Sequence, residues 1–86
     1  MKQILITYEL KQGLDHSAFF AQLPLLGKWW HFIDNVWIIK TPDSPKDIFN
    51  KLVKTLYKGD HVFVIEIKPE TKWGVMPMEA WKWFTE

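Results

Sequence analysis

The sequence predicts a single α+β domain in which one four-stranded antiparallel sheet carries two helices on the same face. Short runs rich in β-branched and aromatic residues alternate with two amphipathic segments of helical periodicity. The two central runs are joined only by Asp34 and Asn35, which is typical of a tight hairpin. A chain of 86 residues is sufficient for one such domain, with its core over residues 1–68 and a tail over 69–86.

The order of the elements narrows the α+β class to one type of topology. The predicted elements are strand 2–9, a helix from Asp15 or Ser17 to about Leu26, strands 28–33 and 36–40, a helix from Pro45 to about Tyr57, strand 61–67, and a short helix from Pro77 to about Phe84. Ser44 and Asp47 around Pro45 give the clearest helix start, because they can form a capping box. The order βαββαβ is that of the ferredoxin-like fold, with the strands arranged 4-1-3-2.

Composition excludes several kinds of site. The chain has no Cys, which excludes a disulfide framework, a thiolate metal site and a Cys nucleophile, and favours a reducing compartment such as the cytoplasm. No stretch approaches the ~18 consecutive apolar residues of a membrane span, so we expect no membrane association. The net charge is +1 and all eleven basic residues are Lys, so nucleic-acid contacts would depend on Lys rather than on bidentate Arg.

The predicted topology gathers polar side chains at one end of the sheet. The first strand ends there, the hairpin turns there and the last strand begins there, which brings together Tyr8, Glu9, Asp34, Asp60 and His61. Carboxylates and an imidazole in one place could hold a hard cation such as Mg²⁺ or supply a general base. The alternative is that Asp34 and Asp60 are turn residues and that Glu9 ends a strand in solvent.

Alternation along the strands predicts which side chains face the helices. These are Ile4, Ile6 and Tyr8 on the first strand and Phe63, Ile65 and Ile67 on the last. The opposite face would then carry Leu5, Thr7, Val62 and Val64, with Trp29 and His31. Because that face is too apolar to remain in water, we expect a homodimer to cover it, or alternatively the tail.

Six Trp in 86 residues are the most unusual feature of the composition. Aromatic side chains near Lys can stack the bases of a nucleic acid. The candidate nucleic-acid-binding residues are Tyr8, Trp29, His31, Lys51 and Lys54. The structural alternative is that the Trp fill the core or an interface and that the Lys-rich second helix presents an ordinary solvated face.

Nearly the whole chain resembles a known group. The segments that carry the resemblance are ILITYEL, GKWWHFIDNVWIIKT, HVFVIEIK and WGVMPMEAWKWF. They resemble small bacterial and phage proteins of the SinR family, which are grouped with the smaller CRISPR adaptation protein. The resemblance implies a ferredoxin-like homodimer, contact with RNA or DNA and, in some members, metal-dependent endoribonuclease activity. The metal ligand of that family is an Asp at the end of the first strand, where this chain has Glu9.

Three functions are consistent with these features. The preferred one is a homodimeric nucleic-acid-binding or scaffolding protein that requires no cofactor. The second is a Mg²⁺-dependent nuclease at the dimer interface, with Glu9 and Asp60 as metal ligands and Glu9 and His61 as catalytic residues. The third is a protein-interaction module that binds its partner through the Trp-rich tail.

Overall fold

A computed structural model describes residues 1–86 and has the α+β class that the sequence predicts. Its elements are β1 (Lys2–Glu9), α1 (Ser17–Gln22) with a 3₁₀ turn (Leu23–Leu25), β2 (Lys28–Ile33), β3 (Val36–Thr41), α2 (Pro45–Val53), β4 (His61–Ile67) and α3 (Met78–Lys82) with a 3₁₀ turn (Trp83–Thr85). None of the helices has the length and apolar character that crossing a membrane requires.

The four strands form one antiparallel sheet in the order β2-β3-β1-β4. This is the expected order 4-1-3-2 read from the other edge. The central strand β1 pairs with β3 on one side and with β4 on the other. Strands β2 and β4 are therefore the two edges of the sheet.

Helix α2 begins as the sequence predicts but ends earlier. The Ser44 side chain accepts a hydrogen bond from the Asp47 N–H at 3.1 Å, and the Asp47 carboxylate accepts one from the Ser44 N–H at 3.1 Å. These hydrogen bonds lower the pKa of Asp47. The helix ends at Val53 rather than near Tyr57, where the chain turns towards β4.

The main core lies between the helices and one face of the sheet. Its buried residues are Ile4, Ile6, Phe19, Leu23, Leu26, Trp37, Ile39, Ile48 and Leu52. Strand β1 points Ile4 and Ile6 into this core, as its alternation predicts. Tyr8 packs against the edge of the same cluster.

The prediction for β4 was wrong, because Val62 and Val64 face the helices. Residues directly opposite each other in an antiparallel pair point to the same face. Ile6 pairs with Val64 in this sheet, whereas Leu5 pairs with Ile65. Phe63, Ile65 and Ile67 therefore lie on the face away from the helices.

The tail covers part of that second face. A smaller core forms there from Trp30, Ile38, Ala80 and Trp83. The Trp30 Nε1–H donates to the Ala80 carbonyl oxygen at 3.0 Å, and the Lys40 ammonium group lies 4.4 Å from the centre of the Trp83 ring. A homodimer or the tail was expected to cover this face. The tail packs against part of it within the single chain.

Trp29 and His31 do not lie on the tail side, which corrects their predicted position. Trp29 pairs with Ile39, whose side chain is in the main core, and Trp30 pairs with Ile38 on the tail side. Trp30 rather than Trp29 therefore packs under the tail.

Candidate functional site

The end of β1 meets the β2–β3 turn and the start of β4, as the topology predicts. The Tyr8 hydroxyl donates to the Asp34 carbonyl oxygen at 3.2 Å, and the Asn35 amide donates to the Tyr8 carbonyl oxygen at 3.4 Å. Burial raises the pKa of the Tyr8 hydroxyl, the hydrogen bond from Trp37 lowers it, and the Asp34 charge raises it again, with a net increase. Tyr8 thus ties the strand end to the hairpin turn as a neutral donor.

Glu9 and His61 lie opposite each other on neighbouring strands. The Glu9 Oε1 and His61 Nδ1 atoms are 3.9 Å apart, and both side chains are largely exposed. A pair of this kind in water contributes little to stability. The two predicted catalytic residues are therefore adjacent and accessible to solvent.

Asp60 belongs to a different cluster from Glu9. Its fully buried carboxylate accepts hydrogen bonds from the backbone N–H groups of Lys11 and Tyr57, each at 2.8 Å. The His16 Nε2 atom lies 2.9 Å from the Asp60 Oδ2 atom. Both oxygens of the predicted metal ligand Asp60 are thus occupied by groups of the chain itself. No three His, Cys, Asp or Glu side chains lie close enough together to hold a metal ion.

We expect the Asp60 cluster to make stability depend on pH in the acid range. Burial raises the pKa of Asp60, but the hydrogen bonds from Lys11, Tyr57 and His16 outweigh it, and the net pKa lies below the usual value. A carboxyl group whose pKa is lower in the folded state stabilises above its unfolded pKa, and this stabilisation is lost as the pH falls below about 4. Denaturant unfolding of the wild type and Asp60→Asn between neutral and acid pH measures the effect.

Asp60→Asn should be less stable at neutral pH, and its deficit should shrink as the pH falls. Asp34→Asn is the matched control, because it removes an exposed carboxylate that lies outside the Asp60 cluster. A constant difference between wild type and Asp60→Asn at every pH would contradict this role of Asp60.

Aromatic side chains of β2 and β3 form a cluster near the sheet end. The Trp37 ring is buried; the Trp29 ring packs against it at a centroid distance of 5.3 Å with the planes tilted by 53°, and the His31 ring is stacked on it at 4.1 Å. Trp29 is 48% exposed and is thus both supported from inside and accessible from outside. Phe20 is a further exposed aromatic residue, in edge contact with Tyr8 at 5.9 Å.

Two open clefts flank the end of β1. One, of about 480 Å³, is lined on the helix side by Tyr8, Phe20, His31 and Asp34. The other, of about 290 Å³, is lined by Thr7, Phe63 and His61. Tyr8, Glu9 and Asn35 line both clefts. The first cleft joins two of the predicted nucleic-acid-binding residues, Tyr8 and His31.

The predicted lysines lie elsewhere. Lys51 is on α2 and its ammonium group is 2.9 Å from the Asp43 carboxylate, whereas Lys54 at the end of α2 is exposed and makes no ion pair. Helix α2 packs against β4, which is the edge opposite to β2. The five predicted nucleic-acid-binding residues therefore form two groups: Tyr8, Trp29 and His31 on β1 and β2, and the basic residues Lys51 and Lys54 on and just after α2.

Two residues near the candidate site, Phe20 and His16, were not predicted from the sequence. Phe20 was treated only as a helix residue, although its place next to the buried Phe19 signals an outward side chain on a short helix. His16 was not among the predicted site residues, but it is buried against Asp60 across 44 residues of sequence. No local signal announces a contact of that range.

Comparison of the chain with protein-family models, with curated proteins and with solved structures gives no match.

Proposed function

We propose that this protein is a homodimeric, cytoplasmic nucleic-acid-binding or scaffolding protein of ferredoxin-like topology, similar to the smaller CRISPR adaptation protein. The observation that carries the proposal is the aromatic group of Trp29, Trp37 and His31, in which exposed Trp29 packs against buried Trp37 and His31 stacks on Trp37 and lines an open cleft. The ligand is a single-stranded segment of RNA or DNA, because only unpaired bases expose their faces for stacking.

The geometry of this aromatic group suits a base platform. The inner side of the Trp29 ring rests near the buried Trp37, so the ring is held in place before a ligand arrives. Nearly half of Trp29 and of Phe20 remains accessible. Stacking of one base on an aromatic side chain contributes roughly 1–3 kcal/mol and tolerates any base.

The lysines supply the charge that a nucleic-acid backbone needs. Lys46, Lys54 and Lys58 on and after α2 and Lys11 in the neighbouring loop are exposed and make no ion pair. A strand that stacks at the β2 edge and crosses the helix layer would bring its phosphates towards this group. Each phosphate that is neutralised makes the affinity fall further as salt is added.

We expect Trp29→Ala to weaken the binding of short labelled RNA or DNA oligonucleotides by about tenfold, since one base platform is lost. Fluorescence anisotropy at several salt concentrations measures both the affinity and its salt dependence. Trp73→Ala is the matched control, because Trp73 lies in the tail and is almost fully exposed. Equal affinities for wild type and Trp29→Ala, or binding that does not respond to salt, would contradict the proposal.

The same samples test the alternative activity. Oligonucleotides recovered after incubation with Mg²⁺ would be shortened if the protein were the nuclease that the resemblance implies. Intact oligonucleotides after saturable binding would support the binding or scaffolding function.

A further inference from the structure

The outer edge of β4 lacks most of the features that normally protect an edge strand. An edge strand presents unpaired N–H and C=O groups, and proteins shield them with charged residues, Pro, a bulge or a covering segment. Strand β4 is HVFVIEI, which contains neither Lys nor Pro and has Glu66 as its single acidic residue. Its seven residues all pair in regular register with β1, so the strand has no bulge.

The opposite edge is protected by comparison. Strand β2 begins with Lys28, and its register with β3 shifts between Trp30 and Ile33. Trp30 is also covered by the tail through its hydrogen bond to Ala80. Only one of the two edges therefore combines regular backbone geometry with a lack of protection.

Apolar side chains accompany the open backbone of β4. Phe63 is 59% exposed and Ile65 is 43% exposed, on the sheet face that the tail covers only in part. Neighbouring apolar side chains of this size left in water indicate an interface. A segment that pairs with this edge must supply both backbone hydrogen bonds to β4 and apolar contacts to Phe63 and Ile65.

We propose that β4 pairs with β4 of a second copy of this chain, antiparallel and across a two-fold axis at Val64, to give a continuous eight-stranded sheet. This inference rests on the homodimer proposed above and names its interface. A two-fold pairing of identical strands satisfies the same groups on both copies at once. The partner must be an extended apolar strand with unpaired backbone groups. The β4 strand of a second copy has these properties.

The register follows from which residues can lie opposite each other. Opposed residues must share a face of the sheet, which leaves axes at Phe63, Val64 or Ile65. An axis at Phe63 pairs only residues 61–65 of the strand and brings Gly59 opposite Ile67. An axis at Ile65 pairs only residues 63–67 and brings Pro69 opposite His61.

The axis at Val64 pairs the whole strand, residues 61–67, with its copy. It brings Phe63 opposite Ile65 of the second copy, twice, and aromatic residues opposite β-branched ones form favourable cross-strand pairs. This register is therefore the one we expect.

We expect the wild-type protein to be a dimer by analytical ultracentrifugation. Ile65→Lys should weaken the dimer by up to about tenfold, because the favourable pair with Phe63 of the other copy is lost twice across the two-fold axis. Val75→Lys is the control, since Val75 is a β-branched residue of the tail that is 99% exposed and lies outside β4. A monomeric wild type overturns the inference. A dimer that Ile65→Lys leaves intact also overturns it, and places the interface elsewhere.

Cysteine crosslinking then tests the register, because the chain has no Cys of its own. Single variants Phe63→Cys, Val64→Cys and Ile65→Cys are oxidised and separated on a non-reducing gel. Val64→Cys should form the covalent dimer fastest, since Cβ atoms of opposed residues are about 4.5–5.5 Å apart. Fastest crosslinking at position 63 or 65 overturns the register. Oligonucleotide affinity measured on the same variants is independent, so failure of the nucleic-acid proposal is distinguishable from failure of this one.

Discussion

Trp83→Ala should destabilise the protein by ~3–5 kcal/mol, the range for removing a large aromatic residue from a core. Trp83 is 5% exposed and belongs to the second core, where it packs with Trp30, Ile38 and Ala80. A domain of this size has roughly 5–10 kcal/mol of stability in total, so the loss is a large fraction of it. Urea unfolding followed by circular dichroism measures the change.

The control is another Trp of the same tail. Trp73 is 96% exposed, so Trp73→Ala should change the free energy of unfolding by less than about 0.5 kcal/mol. Trp83→Phe keeps part of the buried area and gives an intermediate value if Trp83→Ala does not fold. Equal small effects for positions 73 and 83 would mean that the tail is not docked, and would favour a tail available for a protein partner.

The alternation of apolar and polar residues predicts which face of β1 is buried, but it does not do so for β4. On β1, Ile4 and Ile6 alternate with Leu5 and Thr7, and the more apolar set faces the helices as predicted. On β4 both sets are apolar, because a small core and a partly covered second face each need apolar residues. Only the pairing of Val64 with Ile6 decides which set faces the helices, and pairing is not visible in the sequence.

The sequence predicts which residues of the candidate site lie near each other on the backbone, but not which groups their side chains contact. The position of Glu9 opposite His61 follows from the order of the strands, which local turn and capping signals make readable. Asp60 immediately precedes His61 in the chain, yet its carboxylate points to the N–H groups of Lys11 and Tyr57. The direction of a turn side chain depends on such local donors, so Asp60 could be placed near the sheet end but not assigned its partners.

Gly27 follows the first helix and has a strict steric role in the packing of the sheet. It lies just before β2, where the backbone passes directly over the end of β3. A Cβ atom added at position 27 would overlap the Lys40 carbonyl oxygen and would lie 2.8 Å from the Ile39 Cγ2 atom. The obstacle is partly backbone in the middle of the sheet, so it cannot move aside as a flexible side chain would.

We therefore expect Gly27→Ala to reduce the free energy of unfolding by roughly 3 kcal/mol or more, at or above the upper end of the range for overpacking a core. The edge strand β2 would have to move away from β3, which would also disturb the Trp29 platform. Gly74→Ala is the control, because the nearest atom to its added Cβ is 3.7 Å away. Urea unfolding of the three proteins compares them directly. A Gly27→Ala variant as stable as Gly74→Ala would mean that β2 is not held against β3 at this point, and the aromatic group would then lack the rigid support on which base stacking depends.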